Sequence, residues 1–146
     1  MGFSSENDFM RAAFTNYKKI PPGQQLDYGT TTVQLGIYIN SFDSINEQEM
    51  DFAISIYLRQ NWTDPRLAYE HEPQFRNRTF LKLEDALYSK MWLPDVYFRN
   101  EKSAKFHFVT VPNRMMRVYS NGVIWSVSKF VNLKQNMFRI LNFKLI

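Results

Sequence analysis

From Val33 to Asn40 the apolar residues Val33, Leu35, Ile37 and Ile39 alternate with Gln34, Gly36, Tyr38 and Asn40. A period of two is that of a half-buried strand. A second alternation covers Asp51 to Trp62, with Phe52, Ile54, Ile56 and Leu58 on one face and Ala53, Ser55, Tyr57 and Arg59 on the other. Burying four such apolar side chains is worth about 1.5–3 kcal/mol each, so that face is expected inward and Tyr57 and Arg59 outward. Polar Ser41 to Glu49 predicts the turn between them. Upstream, Phe9, Met10, Ala13, Phe14 and Tyr17 share one helical face, which predicts a helix over 5–19, capped by Ser5 with Asp8 and ended by Pro21-Pro22-Gly23. Asn61 to Arg78, with Pro65, Pro73 and many charges, predicts a long irregular connection, and a short helical turn is expected near Leu83–Tyr88. Strands are predicted again at Val96–Phe98, Lys105–Val111, Met115–Tyr119 and Val123–Phe130, the last two joined by Ser120-Asn121-Gly122. Closely spaced short strands behind one N-terminal helix predict a mainly β fold, an antiparallel sandwich.

The chain of 146 residues is the size of one domain, and its content of 45% hydrophobic and 16% aromatic residues is far above that of a disordered segment. Its apolar runs stop at three residues, as in Ile37-Tyr38-Ile39, whereas a bilayer-spanning helix needs about 20. The net charge is +4, and after Glu101 eight Lys or Arg follow with no acid among them. These cations are scattered rather than clustered, the pattern of a solvated basic face, so no nucleic-acid partner is expected. The absence of cysteine removes disulfides, zinc–thiolate sites and cysteine nucleophiles together. Met1 to Glu6 carries no basic region leading into an apolar stretch, so no secretory signal is visible.

Catalytic and metal chemistry find no footing. The five glycines are dispersed, so no phosphate-cradling loop or nucleophile elbow forms. His71 and His107 belong to no metal-spacing motif, and nothing brings Asp43, Asp95 and Glu101 together as acid–base partners. No enzyme activity, metal or cofactor is expected. Asn61-Trp62-Thr63 and Asn77-Arg78-Thr79 fit the N-glycosylation rule, in or beside the expected exposed connection.

Several segments, taken in order, resemble one family. They are Tyr38-Ile39-Asn40-Ser41-Phe42 with Ile45 and Met50-Asp51; Tyr57-Leu58-Arg59-Gln60-Asn61-Trp62-Thr63-Asp64-Pro65-Arg66-Leu67; Trp92-Leu93-Pro94-Asp95-Val96-Tyr97-Phe98 with Asn100-Glu101-Lys102; and Asn113-Arg114-Met115-Met116-Arg117 with Asn121-Gly122. The set spans about Phe9 to Ser128 and is similar to the extracellular ligand-binding domain of Cys-loop (pentameric) ligand-gated ion channels, on the anion-channel side with glycine, glutamate and GABA receptors. The resemblance implies an N-terminal helix plus an immunoglobulin-like β-sandwich, on the extracellular side of the plasma membrane, in a pentamer of homologous subunits that bind a small amino-acid-type neurotransmitter between neighbours. It places Tyr38, Asn40, Tyr57, Arg59, Ile124 and Ser126 on the complementary side of that pocket and Tyr97 on the principal side. Trp62, Asp64, Pro65, Trp92, Pro94 and Asp95 are implied as structural signature residues. Arg59 offers a planar fork to a carboxylate, with charge-assisted hydrogen bonds worth about 1.5–3 kcal/mol each, and Tyr38 and Tyr57 offer aromatic walls.

Past Ser128 the resemblance fades, and a gap-free extension puts Gln135 where the family's first loop cysteine belongs. The expectation is therefore a partial ligand-binding domain over 1–128, an incomplete antiparallel sandwich truncated before the Cys-loop, and a divergent basic and apolar tail over 129–146. The spacing of Leu133, Met137, Phe138, Ile140, Leu141, Phe143, Leu145 and Ile146 predicts an amphipathic helix in that tail. Membrane contact is expected only through segments absent from this chain, which by itself conducts nothing. The alternative reading is a soluble transmitter-binding or subunit-docking protein derived from such a receptor.

Overall fold

The computed structural model describes residues 5–25, 29–99, 101–106, 108–109, 111–112, 114–136 and 143–145. Residues 1–4, Asn100, His107, Asn113 and much of the expected tail helix lie outside the described residues. The fold is mainly β and antiparallel with an N-terminal helix, and its sheet is not closed, as expected of a partial sandwich.

In chain order the elements are α1 (Glu6–Ala13), α2 (Pro22–Gln25), β1 (Val33–Asn46), β2 (Asp51–Thr63), β3 (Phe80–Lys82), α3 (Asp85–Tyr88), β4 (Val96–Phe98), β5 (Glu101–Phe106), β6 (Phe108–Val109), β7 (Val111–Pro112), β8 (Arg114–Tyr119), β9 (Val123–Asn136) and β10 (Phe143–Leu145). The main sheet runs β1-β2-β9-β8-β3, with β5 pairing to β9; β4 pairs with β10, and β6 with β7.

α1 begins where the sequence predicts, since the Asp8 N–H donates to Ser5 Oγ at 3.2 Å and Glu6 and Asp8 stand at the positive end of the helix. It stops at Ala13, six residues short of the expected Lys19. Beyond it, the Lys18 and Ile20 carbonyls accept from the Arg66 guanidinium at 3.0 and 3.1 Å, which ties the segment after the helix to the Asp64–Arg66 pair. Pro22, expected to be part of the stop, opens α2.

Two compact units divide the chain. One takes residues up to 34, 61–93 and 115–126, and the other takes 35–60, 94–114 and 127 onward, so β1, β2 and β9 each contribute to both. The first is built on Phe9, Met10, Phe14, Trp62, Leu67, Tyr69, Leu81, Met91, Met116, Val118 and Ile124, all buried. The expected irregular connection is largely ordered here: β2 persists to Thr63, and two single 3-10 turns, Pro65–Leu67 and Pro73–Phe75, bury Leu67 and Phe75. In the second unit Ile54, Ile56, Phe98 and Leu133 form the buried cluster, with Ile37, Phe52 and Phe130 packed against it.

The structure corrects two periodicities. Ala53 and Ser55, expected outward, are buried at 2% and 6% exposure; both side chains are small, and Ser55 Oγ donates to Asp43 Oδ2 at 2.6 Å. The expected tail helix is strand over its described residues: β9 continues unbroken through Ser128 to Asn136, and Phe143–Leu145 is β10. Pairing with β5 supplies the backbone partners that hold this stretch extended, and Leu133 and Gln135 are fully buried in it.

Candidate functional site

The outward side of β1 and β2 collects four of the expected binding residues. The Tyr38 and Tyr57 rings lie 6.3 Å apart, tilted by 45°, within the range of favourable aromatic pairs. Tyr38 is 56% exposed, Asn40 and Arg59 are exposed, and Tyr57 is half-buried. Gly36 stands beside Arg59: a Cβ added there would meet Arg59 Cβ at 3.7 Å, an ordinary contact, so the glycine leaves the arginine stem uncovered. Among the described residues Arg59 makes no salt bridge or side-chain hydrogen bond. The pattern is an aromatic shelf beside an open guanidinium on a sheet surface. Such a face can take a planar anion bidentately, with the rings walling its organic part.

A fifth member was missed by sequence reasoning. Lys129 Nζ lies 5.6 Å from the Tyr57 ring centroid, close enough for a cation–π contact. The expected boundary at Ser128 assigned Lys129 to the tail. Yet the strand does not end there: burial in β9 alternates through Ile124, Ser126 and Ser128, with Val127 and Lys129 less buried, and resumes in the opposite parity at Leu133 and Gln135, beyond Asn132 with its φ of +52°. Nearby, Asp43 accepts from Ser55 Oγ at 2.6 Å and from Ser41 Oγ at 2.7 Å. These hydroxyls, with a smaller contribution from Lys129, hold its carboxyl below the usual carboxylate range.

Ile124 and Ser126 are buried. Both belong to the inner side of the β8–β9 hairpin, at 0% and 3% exposure, and Ile124 is part of the core cluster. The turn sets this parity, with the Gly122 N–H donating to Tyr119 O at 2.9 Å and φ of +80° at Gly122. The hairpin side chains that emerge are Val123 and Trp125, with Trp125 receiving the Arg117 guanidinium at 5.1 Å. Tyr97, on β4, is 38% exposed, and no ring contact among the described residues joins it to Tyr38 or Tyr57.

The six expected signature residues differ in setting. Trp62 is buried and meets Trp92 edge to face at 6.2 Å. Asp64 is fully buried, receiving Arg66 Nε and Nη2 at 2.7 Å each and the Tyr17 hydroxyl at 2.7 Å. Burial first, and then the Asp64 carboxylate, push the Tyr17 hydroxyl well above its usual pKa. Pro65 opens the 3-10 turn that Asp64 caps. Pro94 is buried, its carbonyl accepting from Gln60 Nε2 at 3.3 Å, while Asp95 is exposed.

Among the described residues no cluster of three metal-ligating side chains occurs, and no helix is long and apolar enough to cross a membrane. The family model for the neurotransmitter-gated ion-channel ligand binding domain matches residues 6–134, nearly all of the chain, and so takes in Lys129 as well as the β1–β2 face. That family is the extracellular, ligand-binding part of pentameric membrane receptors and is not a class of enzymes.

Proposed function

The chain belongs to the family of neurotransmitter-gated ion-channel ligand-binding domains, and on that premise we propose that its β1–β2 face is the complementary half of an inter-subunit site for a small amino-acid transmitter in an anion-selective channel. The observation that carries this reading is Arg59, exposed, without an ion-pair partner among the described residues and flanked by the Tyr38–Tyr57 pair. Here the guanidinium is left for a carboxylate, Asn40 adds an exposed amide, and Lys129 adds a second positive charge beside Tyr57. The face is open, as half of a site completed by a neighbouring subunit would be. Tyr97 belongs to the opposite, principal side in this reading. The resemblance to glycine, glutamate and GABA receptors supports the anion branch.

The test is a ligand panel on the assembled receptor. Glycine, glutamate and γ-aminobutyrate, which carry carboxylates, are expected to include the agonist; acetylcholine and serotonin, which lack one, are expected to be inactive. Arg59→Ala should weaken the agonist at least about tenfold, since one charged hydrogen bond contributes upwards of ~1.4 kcal/mol. Arg59→Lys should restore only part, because a point charge does not reproduce the fork. An unmoved concentration–response curve in Arg59→Ala, at normal surface expression, would remove Arg59 from the site.

A further inference from the structure

The two glycosylation sequons occupy very different settings. Asn61 lies within β2, a strand with neighbours on both sides, and its side chain is already engaged: Nδ2 donates to Gln34 Oε1 at 3.3 Å and Oδ1 is buried. Its neighbour Trp62 is anchored in the core, and two residues on the Asp64 N–H donates to Gly122 O at 2.8 Å. A sugar on Asn61 Nδ2 would replace one of the two amide hydrogens beside Gln34 and share the recess of about 190 Å³ lined by Thr32, Gln34, Thr63 and Val123. Asn77 is the reverse case. It is exposed in a turn after the Pro73–Phe75 helix, and the turn is closed by the Arg78 N–H donating to Phe75 O at 2.9 Å. The Arg78 side chain swings back to Glu6 Oε1 at 3.0 Å, and Thr79, the third sequon residue, is exposed as well. Among the described residues neither Asn77 nor Thr79 has a side-chain hydrogen bond to lose.

We infer that Asn77 is the glycan-bearing residue of the folded domain and that Asn61, although it satisfies the same rule, carries none. The donor is a polyisoprenyl-diphosphate-linked oligosaccharide, which a secretory compartment supplies to an extracellular domain of this kind. Asn77 Nδ2 loses one proton and bonds to the anomeric carbon of the first sugar. The bond from that carbon to the diphosphate oxygen breaks, and the diphosphate leaves with the electron pair. The inference rests on accessibility and is independent of which ligand binds.

The experiment expresses the full chain behind an added, cleavable signal peptide in animal cells and reads the glycosidase-sensitive mobility of secreted or cell-retained folded protein. The parent chain should show one sensitive step. Thr79→Ala, which destroys the sequon and leaves Asn77 in place, should abolish that step. Thr63→Ala, which destroys the other sequon without touching the Asn61–Gln34 contact, should leave it unchanged. A step that survives Thr79→Ala, a step lost in Thr63→Ala, two steps in the parent chain, or none at all would each overturn the assignment. Peptide mass mapping after deglycosylation in heavy-oxygen water gives a second readout, a label expected at 77 and not at 61.

Discussion

Lys129 Nζ is held 5.6 Å from the centre of the Tyr57 ring, so the aromatic shelf beside Arg59 is bordered by a second cation. Two positive charges on one face raise the local concentration of an anionic ligand, and their effect is screened by salt. Lys129→Gln should therefore weaken an amino-acid agonist by about threefold to tenfold, as expected for a lost contact of roughly 1 kcal/mol. The loss should be smaller at high ionic strength, and Lys129→Arg should recover most of it. Equal losses at low and high salt would assign Lys129 to folding instead.

Asp43 gives a pH dependence of known sign. The Ser55 and Ser41 hydroxyls, and Lys129 after them, favour its ionised form in the folded state. A folded pKa below the unfolded one adds stability that is present above the ordinary carboxylate range and is lost as pH falls through the lowered value. Acid unfolding of the parent chain should accordingly be steeper than that of Asp43→Asn below about pH 4. The difference should be small, because Asp43 is exposed. Parallel acid titrations of the two chains would refute this.

The β1–β2 face was legible in the sequence because two alternations placed Tyr38, Tyr57 and Arg59 on positions the core did not need. Alternation predicts which way a side chain faces and not how far it is covered, and so the small Ala53 and Ser55 are expected outward although both are buried. The hairpin failed for a different reason. A turn sets strand parity, and a single residue more or less at Gly122 exchanges Ile124 and Ser126 with Val123 and Trp125. Lys129 was hidden by a boundary drawn where family likeness thinned, although β9 itself continues to Asn136. The early end of α1 was not readable, and neither was the tie on the segment after it, where Arg66, some fifty residues away in the chain, holds the Lys18 and Ile20 carbonyls.

The Tyr17–Asp64–Arg66 group should be the most sensitive point of the frame. Asp64 is fully buried and Arg66 nearly so at 11% side-chain exposure. Removing one partner of such a pair strands the other, at a cost of about 3–5 kcal/mol. Asp64→Ala should therefore fail to give soluble folded protein or should unfold at far lower denaturant. Tyr17→Phe removes one hydrogen bond and should cost only about 1–2 kcal/mol. Comparable midpoints for Asp64→Ala and the parent in urea titrations would show that the group contributes little.

Gln135 is a fault in the second unit that a substitution can repair. Its side chain is fully buried on β9, directly opposite Glu101 of β5, and among the described residues neither its amide oxygen nor its amide nitrogen has a hydrogen-bond partner. A buried polar group without a partner costs about 1–3 kcal/mol relative to one left in water. Methionine has nearly the same length and volume, fits by rotation of its flexible thioether, and carries no group that must be hydrogen-bonded. Gln135→Met should thus stabilise the chain by about 1–3 kcal/mol, raising the melting temperature by roughly 2–4 °C per kcal/mol for a domain of this size. Gln135→Glu should do the opposite and more strongly, since it would bury a charge beside the Glu101 strand position. The check is thermal and urea unfolding of the three chains side by side. If Gln135→Met lowers stability, the amide is partnered in solution, by an ordered water or a neighbouring chain, and the extra stability should then appear only in the parent.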